Sequence, residues 1–386
     1  VTRPRTPALA IRRLDPAALA GPLAERWASL VARSGADPVF LGSAWLSAWW
    51  DTWAATLGLE PLLLGACHGS ELVGAAPLYR YHRRLAPGLW LKELHFIGSA
   101  PRISGTVRSE YLDLLVDPRW QRAVPQALAA ALAAERWDLL SLCDHVPAAD
   151  GSSAVGELCH QLGLLAGPQE TDQGVRIDTR GELADWLARL GRNTRLKAWN
   201  RRSWVTRHLG TLTLREEPDP GQGLALLNQF HARRWGRPCF SGPGLAFHRR
   251  FLARLAPPLQ AHFSVLEIAG TPRSLLYDLH AGHGRYNLQA GFDDRLDARV
   301  SAGTLHLGFA IEAAFADPAV THYDLLAGRG KHGHYKSRFA GTPVSFQSGY
   351  QLRHPALRLL WRAQRALPWR LTRAAARLLG LGRGAG

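Results

Sequence analysis

The sequence predicts a mixed α/β (α+β) protein of two lobes. Three observations support this. First, 386 residues are too many for one ordinary core and suit two domains of typical size. Second, hydrophobic residues make up 46% and charged residues 20%, the balance of a globular chain. Third, in each half, apolar runs separated by turn residues are followed by a helix and then another strand, an α+β or mixed α/β pattern.

The first lobe is expected over residues 8–180. Residues 61–68 and 71–79 are apolar runs split by Gly69-Ser70, which signals a hairpin. Further strands are expected at 92–98, 110–116 and 137–143, and an alanine- and leucine-rich helix at 121–135. Residues 181–207 form a basic helical connector, with Trp186, Leu187, Leu190, Leu196 and Trp199 at roughly helical spacing. Within 189–207 lie seven basic residues and no acidic one, which gives either a solvated face or an anion-binding face. The second lobe, 208–350, opens with a strand at 211–215 and helices at 222–235 and 244–255. Runs 262–268, 273–280 and 285–292 follow, separated by Gly270-Thr271-Pro272 and Gly282-His283-Gly284. Both separators are turn chemistry, so these runs predict a three-stranded antiparallel meander. A loop at 293–300, a helix at 301–315 and strands at 322–327 and near 344–350 complete the lobe. The tail, 351–386, has eight arginines and no acidic residue, interleaved with leucine and tryptophan. It reads as amphipathic helix, packed on the protein or docked on an anionic membrane face.

Composition narrows the function. No run approaches the roughly 18 apolar residues of a membrane helix, and Val1–Ala10 lacks an apolar signal region, so a cytoplasmic protein is expected. Cys67, Cys143, Cys159 and Cys239 are scattered with no CxxC pair, which argues against a disulfide framework or a zinc site. The net charge of +16 attracts anions: cofactor phosphates, nucleic acid, anionic lipid or acidic sugars. The arginine excess itself reads as the codon bias of a GC-rich bacterial genome.

Chemistry concentrates after residue 270. Ser301-Ala302-Gly303-Thr304 opens a helix. Ser301 is placed to cap it, Gly303 leaves room for a ligand near the backbone, and free N–H groups at the positive dipole end suit a pyrophosphate. Asp324 stands in the apolar run Tyr323-Asp324-Leu325-Leu326, where a core strand would carry Val or Ile; a buried carboxylate needs a partner or a task. Tyr335-Lys336 follows. Lys336 is one of four lysines in a chain that uses arginine 43 times, and it offers a compact ammonium that arginine does not replace. Asp278 and His280 share a strand face two residues apart, with His283 beside them; Asp278 and His280 are candidate proton acceptors. His332 and His334 alternate as metal ligands would, but no acidic or cysteine partner is near, so no metal is expected. There is no GxSxG, P-loop or HExxH, and the glycines at 282–291 lie in a meander rather than at a strand-to-helix turn, which excludes a dinucleotide fold.

Residues 270–340 resemble the GNAT-like acetyltransferase domain of the CelD/BcsL type, linked to cellulose and exopolysaccharide synthesis. More distantly they are similar to Fem-type aminoacyl transferases. The resemblance rests on Gly270-Thr271-Pro272, Arg285-Tyr286-Asn287, Gly291-Phe292-Asp293, Ser301-Ala302-Gly303-Thr304-Leu305, Ile311-Glu312, Tyr323 to Leu326, Gly328 and Tyr335-Lys336. Val300 and Ala302 stand where the family carries tyrosine and proline, and Arg329 where it carries an acid. In the first lobe, Phe40-Leu41, Trp45, Trp49, Trp50 and Trp53, and Glu110-Tyr111-Leu112-Asp113, also fit. The resemblance implies two tandem GNAT-like lobes, each a mostly antiparallel twisted sheet flanked by helices. It implies acetyl-CoA or another acyl-CoA as donor, and direct transfer to an amine or hydroxyl, such as that of a saccharide. Ser301, Ala302, Gly303 and Thr304 would hold the pyrophosphate. Asp324 would orient Lys336 or the acceptor, Lys336 would stabilise negative charge, Tyr335 would line the channel, and Asp278 or His280 would be the base. The alternatives are tRNA-dependent aminoacyl transfer, favoured by the basic connector, and a non-catalytic membrane-associated accessory protein, favoured by the tail.

Overall fold

The computed structural model describes residues 9–100, 103–147, 153–328 and 335–366. The chain divides into two compact units: Val1–Thr171 with Phe346–Gly386, and Asp172–Ser345. It passes from the first to the second inside one long strand and returns inside another.

Unit 1 contains β1 (Ala10–Leu14), α1 (Ala24–Ser34), α2 (Ser43–Leu57), β2 (Glu60–His68), β3 (Glu71–Ala86), β4 (Leu89–Phe96), β5 (Leu115–Val116), α3 (Ala123–Ala134), β6 (Leu139–His145) and α4 (Ala154–Gln161). The first crossing is β7 (Leu165–Asp178). Unit 2 continues with α5 (Leu183–Arg189), α6 (Arg192–Arg195), a π-helical turn at Leu196–Asn200, α7 (Arg201–His208), β8 (Leu212–Glu216), α8 (Pro220–Trp235), α9 (Gly242–Ala253), β9 (Gln260–Ile268), β10 (Thr271–Ala281), β11 (Gly284–Phe292), α10 (Ala302–Ala316) and β12 (His322–Ala327). The returning strand is β13 (Thr342–Leu352), followed by α11 (Pro355–Ala366).

In unit 1 the sheet runs β1-β2-β3-β4-β6 and then the second half of β13, with β5 paired to β3. All pairs are antiparallel except β4 with β6, which α3 connects by a crossover. The β2–β3 hairpin turns at Gly69, φ +60°, as its sequence requires. The tryptophans of α2 supply much of the core: Trp45 and Trp49 are fully buried, and Trp49 stacks on Tyr79 at 5.7 Å. The expected strand at 110–116 shrinks to Leu115–Val116. Its first half is held by local bonds instead: Asp113 accepts from Leu114 N and Val155 N, and Tyr111 takes φ +56°. Conversely, β3 runs seven residues past its expected end at 79. The charged stretch Arg80–Arg84 pairs with β4 all the same, because a solvated hairpin arm tolerates charge.

In unit 2 the sheet runs β7-β12-β11-β10-β9-β8, antiparallel except for β11 with β12. The meander β9–β10–β11 forms as expected. Alternation sets its two faces. Leu276 packs with Ile311 of α10 and Trp186 of α5, while Tyr277 stacks on Phe263 at 4.5 Å and approaches His248 of α9. The local signals for α8 agree with one another: Asp219 caps Gly221 N at 2.7 Å, Pro220 opens the helix and Gly236 closes it at φ +71°.

The basic helices 181–207 lie within unit 2. Trp186 is fully buried and donates to Phe339 O at 2.8 Å. The π turn presses on α10 so closely that a Cβ at Gly308 would come within 2.4 Å of Ala198 O. Arg202 is held over the rings of Trp199 and Phe309, at 4.0 and 3.5 Å, and pairs with Glu312. At least this arginine of the basic run is therefore committed to α10 rather than to solvent.

Trp186→Ala should destabilise the protein by about 3–5 kcal/mol through the cavity and the orphaned Phe339 carbonyl. Urea denaturation followed by fluorescence measures it; a loss below about 1 kcal/mol would remove Trp186 from the core that seats α10.

Candidate functional site

Strands β11 and β12 run parallel, but they pair over only three positions: Gly284 with His322, Arg285 with Tyr323 and Tyr286 with Asp324. Beyond them the strands part. Asn287–Phe292 stays with β10, while Ala327 pairs with Gly174 of β7 after a register shift. Leu326, at φ +57°, makes the bend in β12. The result is a wedge at the carboxyl ends of two parallel strands joined by a crossover helix, the place where open α/β sheets receive ligands. Among the described residues the two strands share no ladder pairs along the wedge, and Ala290 on the β11 side bonds instead to the Gln289 and His231 side chains; a gap of this kind suits an extended, amide-bearing ligand.

Helix α10 begins after the loop that follows β11. Ser301 occupies the N-cap position but makes no side-chain cap; its Oγ lies 2.8 Å from Thr304 Oγ1, which in turn lies 3.1 Å from the Tyr335 hydroxyl. The expected cap is therefore replaced by a side-chain chain that ties α10 to Tyr335. Ser301 thus leaves the first-turn amides without a side-chain cap, and Ala302, Gly303 and Thr304 are themselves buried. A Cβ at Gly303 would lie 2.6 Å from the Phe292 ring, so the glycine makes room for that ring. Ala302 is buried. Burial raises the Tyr335 pKa, so its hydroxyl stays protonated.

Asp324 is fully buried. It accepts from Arg176 Nε of β7 at 3.0 Å and from Leu326 N at 2.7 Å. Lys336 donates to the carbonyls of Ala327 and Leu326, at 2.7 and 3.3 Å. The left-handed conformation of Leu326 makes this possible, since successive carbonyls of a regular strand point opposite ways. Lys336 and Asp324 thus both fasten the bend in β12. His332 and His334 lie outside the described residues.

Asp278 and His280 lie on the other face of the sheet, toward α10. Asp278 accepts from Asn287 Nδ2 at 2.7 Å and from the Tyr323 hydroxyl at 2.6 Å, so both of its oxygens are engaged. Desolvation pushes its pKa up to about 6 against the pull of these bonds. His280 stacks on His262 at 3.8 Å, and burial, with His262 and Arg285 nearby, lowers its pKa to about 3. Of the candidates on strands, Asp324, which pairs across the ladder with Arg176, therefore lies on one face and Asp278 with His280 on the other. Arg176, Asn287, Tyr323 and His262 complete these clusters; the sequence assigned none of them a site role, although Asn287 and Tyr323 stand among the residues that carry the resemblance. For Arg176 no signal existed, because β7 is too polar to read as a strand.

Residues 192–337 match the acetyltransferase (GNAT) domain family. Among solved structures the chain is similar to FemX, at 11% identity and TM-score 0.58 over 88% of this chain and 96% of that one. It is also similar to the C-terminal domain of a protein described as a lysylphosphatidylglycerol synthetase from Agrobacterium fabrum, at 11% identity and TM-score 0.51 over 90% and 97%. At such identities the likeness is one of fold. No curated protein matches the chain. The family match begins in the basic helices, so α6, the π turn and α7 belong to the domain. The chain thus carries a GNAT-type acyltransferase domain, whose donor is in general an acyl-CoA.

The raised Asp278 pKa sets a pH dependence. Below about pH 4 both native and unfolded states are protonated. Between about pH 4 and pH 6 the unfolded state has lost the proton that the native state keeps, so stability falls as pH rises, and it levels off above about pH 6. The loss should be roughly 2–3 kcal/mol. Asp278→Asn should flatten it in denaturation curves taken across this range; an unchanged slope would place the effect elsewhere.

Proposed function

We propose that unit 2 transfers an acyl group from an acyl-CoA, acetyl-CoA being the simplest, directly to an amine or hydroxyl acceptor. The observation that carries the proposal is the wedge between β11 and β12 with the uncapped N-terminus of α10 beyond the end of β11. The pyrophosphate rests on the first-turn amides of α10, beside the Ser301 and Thr304 hydroxyls. The pantetheine arm, an extended chain with two amides, enters the wedge and bonds to backbone groups along it. Holding donor and acceptor in one complex supplies much of the rate. The acceptor attacks the thioester carbonyl, the new bond forms as the carbon–sulfur bond breaks, and the sulfur leaves with the CoA.

Lys336, fixed by the carbonyls of Leu326 and Ala327, provides positive charge where negative charge develops. Asp324 with Arg176 holds the bend that positions it. Tyr335 lines the donor channel through its bond to Thr304. Asp278, ionised above about pH 6, takes the acceptor's proton through the Tyr323 hydroxyl. His280 is the weaker proton acceptor because its pKa is so low.

We assign the acceptor to a saccharide of the cell envelope or exopolysaccharide, as the CelD/BcsL resemblance implies, and the reaction to the cytoplasm, where acyl-CoA is made. A second reading, aminoacyl transfer from tRNA, draws on the exposed Arg192, Lys197 and Arg207 of the basic helices. Salt titration separates the two, since a polyanionic donor loses affinity far more steeply with salt than one CoA does.

Ser301→Asp tests the donor site directly. An acid at the N-cap favours the helix but repels pyrophosphate. Calorimetry should show acyl-CoA binding at least about tenfold weaker, with the melting temperature unchanged or raised. Full affinity in this variant would refute the α10 site. Lys336→Ala should cut kcat by about 10²-fold with little loss of binding; a folded variant of normal kcat would remove Lys336 from the reaction.

A further inference from the structure

Six large hydrophobic side chains are strongly exposed among the described residues: Leu89, Trp90, Leu214, Trp235, Leu359 and Leu360. Four of them lie on two elements of unit 1 that pack against each other. Leu85 and Leu91, from the arms of the β3–β4 hairpin, share one apolar cluster with Leu357 and Trp361 of α11. Leu89 and Trp90 are 55% and 53% exposed beside the tip Pro87-Gly88, and Leu359 and Leu360 on α11 are 69% and 44% exposed. On α11, Leu357 and Trp361 lie one turn apart and face the unit, which turns Leu359 outward. At the tip, Leu89 shares the α11 side with Leu91, while Trp90 lies on the other side under Arg84, 6.0 Å from its ring. A projecting tip with apolar residues on both sides can be inserted rather than merely covered.

We propose that the β3–β4 tip and α11 form a docking surface for an anionic lipid bilayer. Charge and residue type select this occupant. Arg84, Arg358 and Arg362 flank the apolar side chains; Arg84 and Arg362 are exposed, and among the described residues none of the three has an ion-pair partner. From residue 351 to the last residue the sequence holds eight arginines and no acid, which a protein partner of mixed charge does not require but an anionic lipid surface rewards. Tryptophan beside arginine, with leucines that shed water, is the composition of interfacial anchors. No described helix is long and apolar enough to cross a membrane, so the contact is peripheral. The surface belongs to unit 1 and does not depend on the acyl-transfer reading.

The test is sedimentation of the full chain with vesicles of phosphatidylcholine alone and of phosphatidylcholine mixed with phosphatidylglycerol. Binding is expected only to the mixed vesicles, weakening as salt is added. A variant combining Leu89→Ser, Trp90→Ser, Leu359→Ser and Leu360→Ser should bind at least about tenfold more weakly. Because all four side chains are already exposed, its melting temperature should match the parent. Brominated phosphatidylglycerol should quench tryptophan emission in the parent and less so in Trp90→Phe. Absence of binding to mixed vesicles, equal binding to neutral vesicles, or undiminished binding of the fourfold variant would each overturn the proposal. So would a parent that binds no vesicle and dimerises through these four residues, which would assign the surface to a second copy of the chain.

Discussion

Three ladder pairs hold β11 to β12, and the candidate site depends on where that pairing stops. Had it run on, the backbone groups that face the wedge would be consumed within the sheet and no extended ligand could enter. The pairing ends because each strand has a stronger claim on it elsewhere: β11 stays paired with β10 along its length, across one bulge, and β12 is drawn to β7. The bend at Leu326 stores the change of direction in a left-handed residue that an ordinary strand would avoid. Arg176, Asp324, the Leu326 amide and Lys336 together hold that residue in place, which is why buried charge is tolerated in this strand.

Two carboxylates, one residue apart in pairing register but on opposite faces, show how environment separates roles. Asp324 has an arginine beside it. Asp278 has only neutral donors in direct contact, so desolvation prevails and its pKa rises to about 6. The same sheet thus carries an arginine-paired carboxyl on one face and a desolvated, titratable one on the other. The α10 side is packed by Trp186, the π turn and Arg202, and that packing keeps the helix start where the wedge opens. Gly303 and Gly308 are both glycine for packing reasons, one for the Phe292 ring and one for the Ala198 carbonyl.

Unit 1 carries the same strand–helix–strand element in β4, α3 and β6, again with three parallel pairs. Near its parted ends the chain's own loop intrudes: Ser109 donates to Gly98 O, Leu112 N bonds to Asp144 O, and Arg108 grips both oxygens of Asp144. The two units therefore share this element and differ in what lies at its parted ends.

Much of this was legible in the sequence. Apolar runs parted by glycine turns gave the meander. The SAGT start gave α10, and an aspartate in an apolar strand marked β12. These are local signals, set by the backbone preferences of a few neighbouring residues. What the sequence could not show was partnership. The polar β7 reads as loop because its strand character comes from β12, the neighbour it pairs with. Arg176 consequently had no visible link to Asp324, 148 positions away. Glycine at 303 read as room for a ligand, because the ring that fills that room comes from a different element. Asp278 and Asp324 looked like members of one site until alternation and a bulge sent them to opposite faces. Local chemistry determined which elements form; only the tertiary structure decided where β11 and β12 part, and that parting is what makes the candidate site.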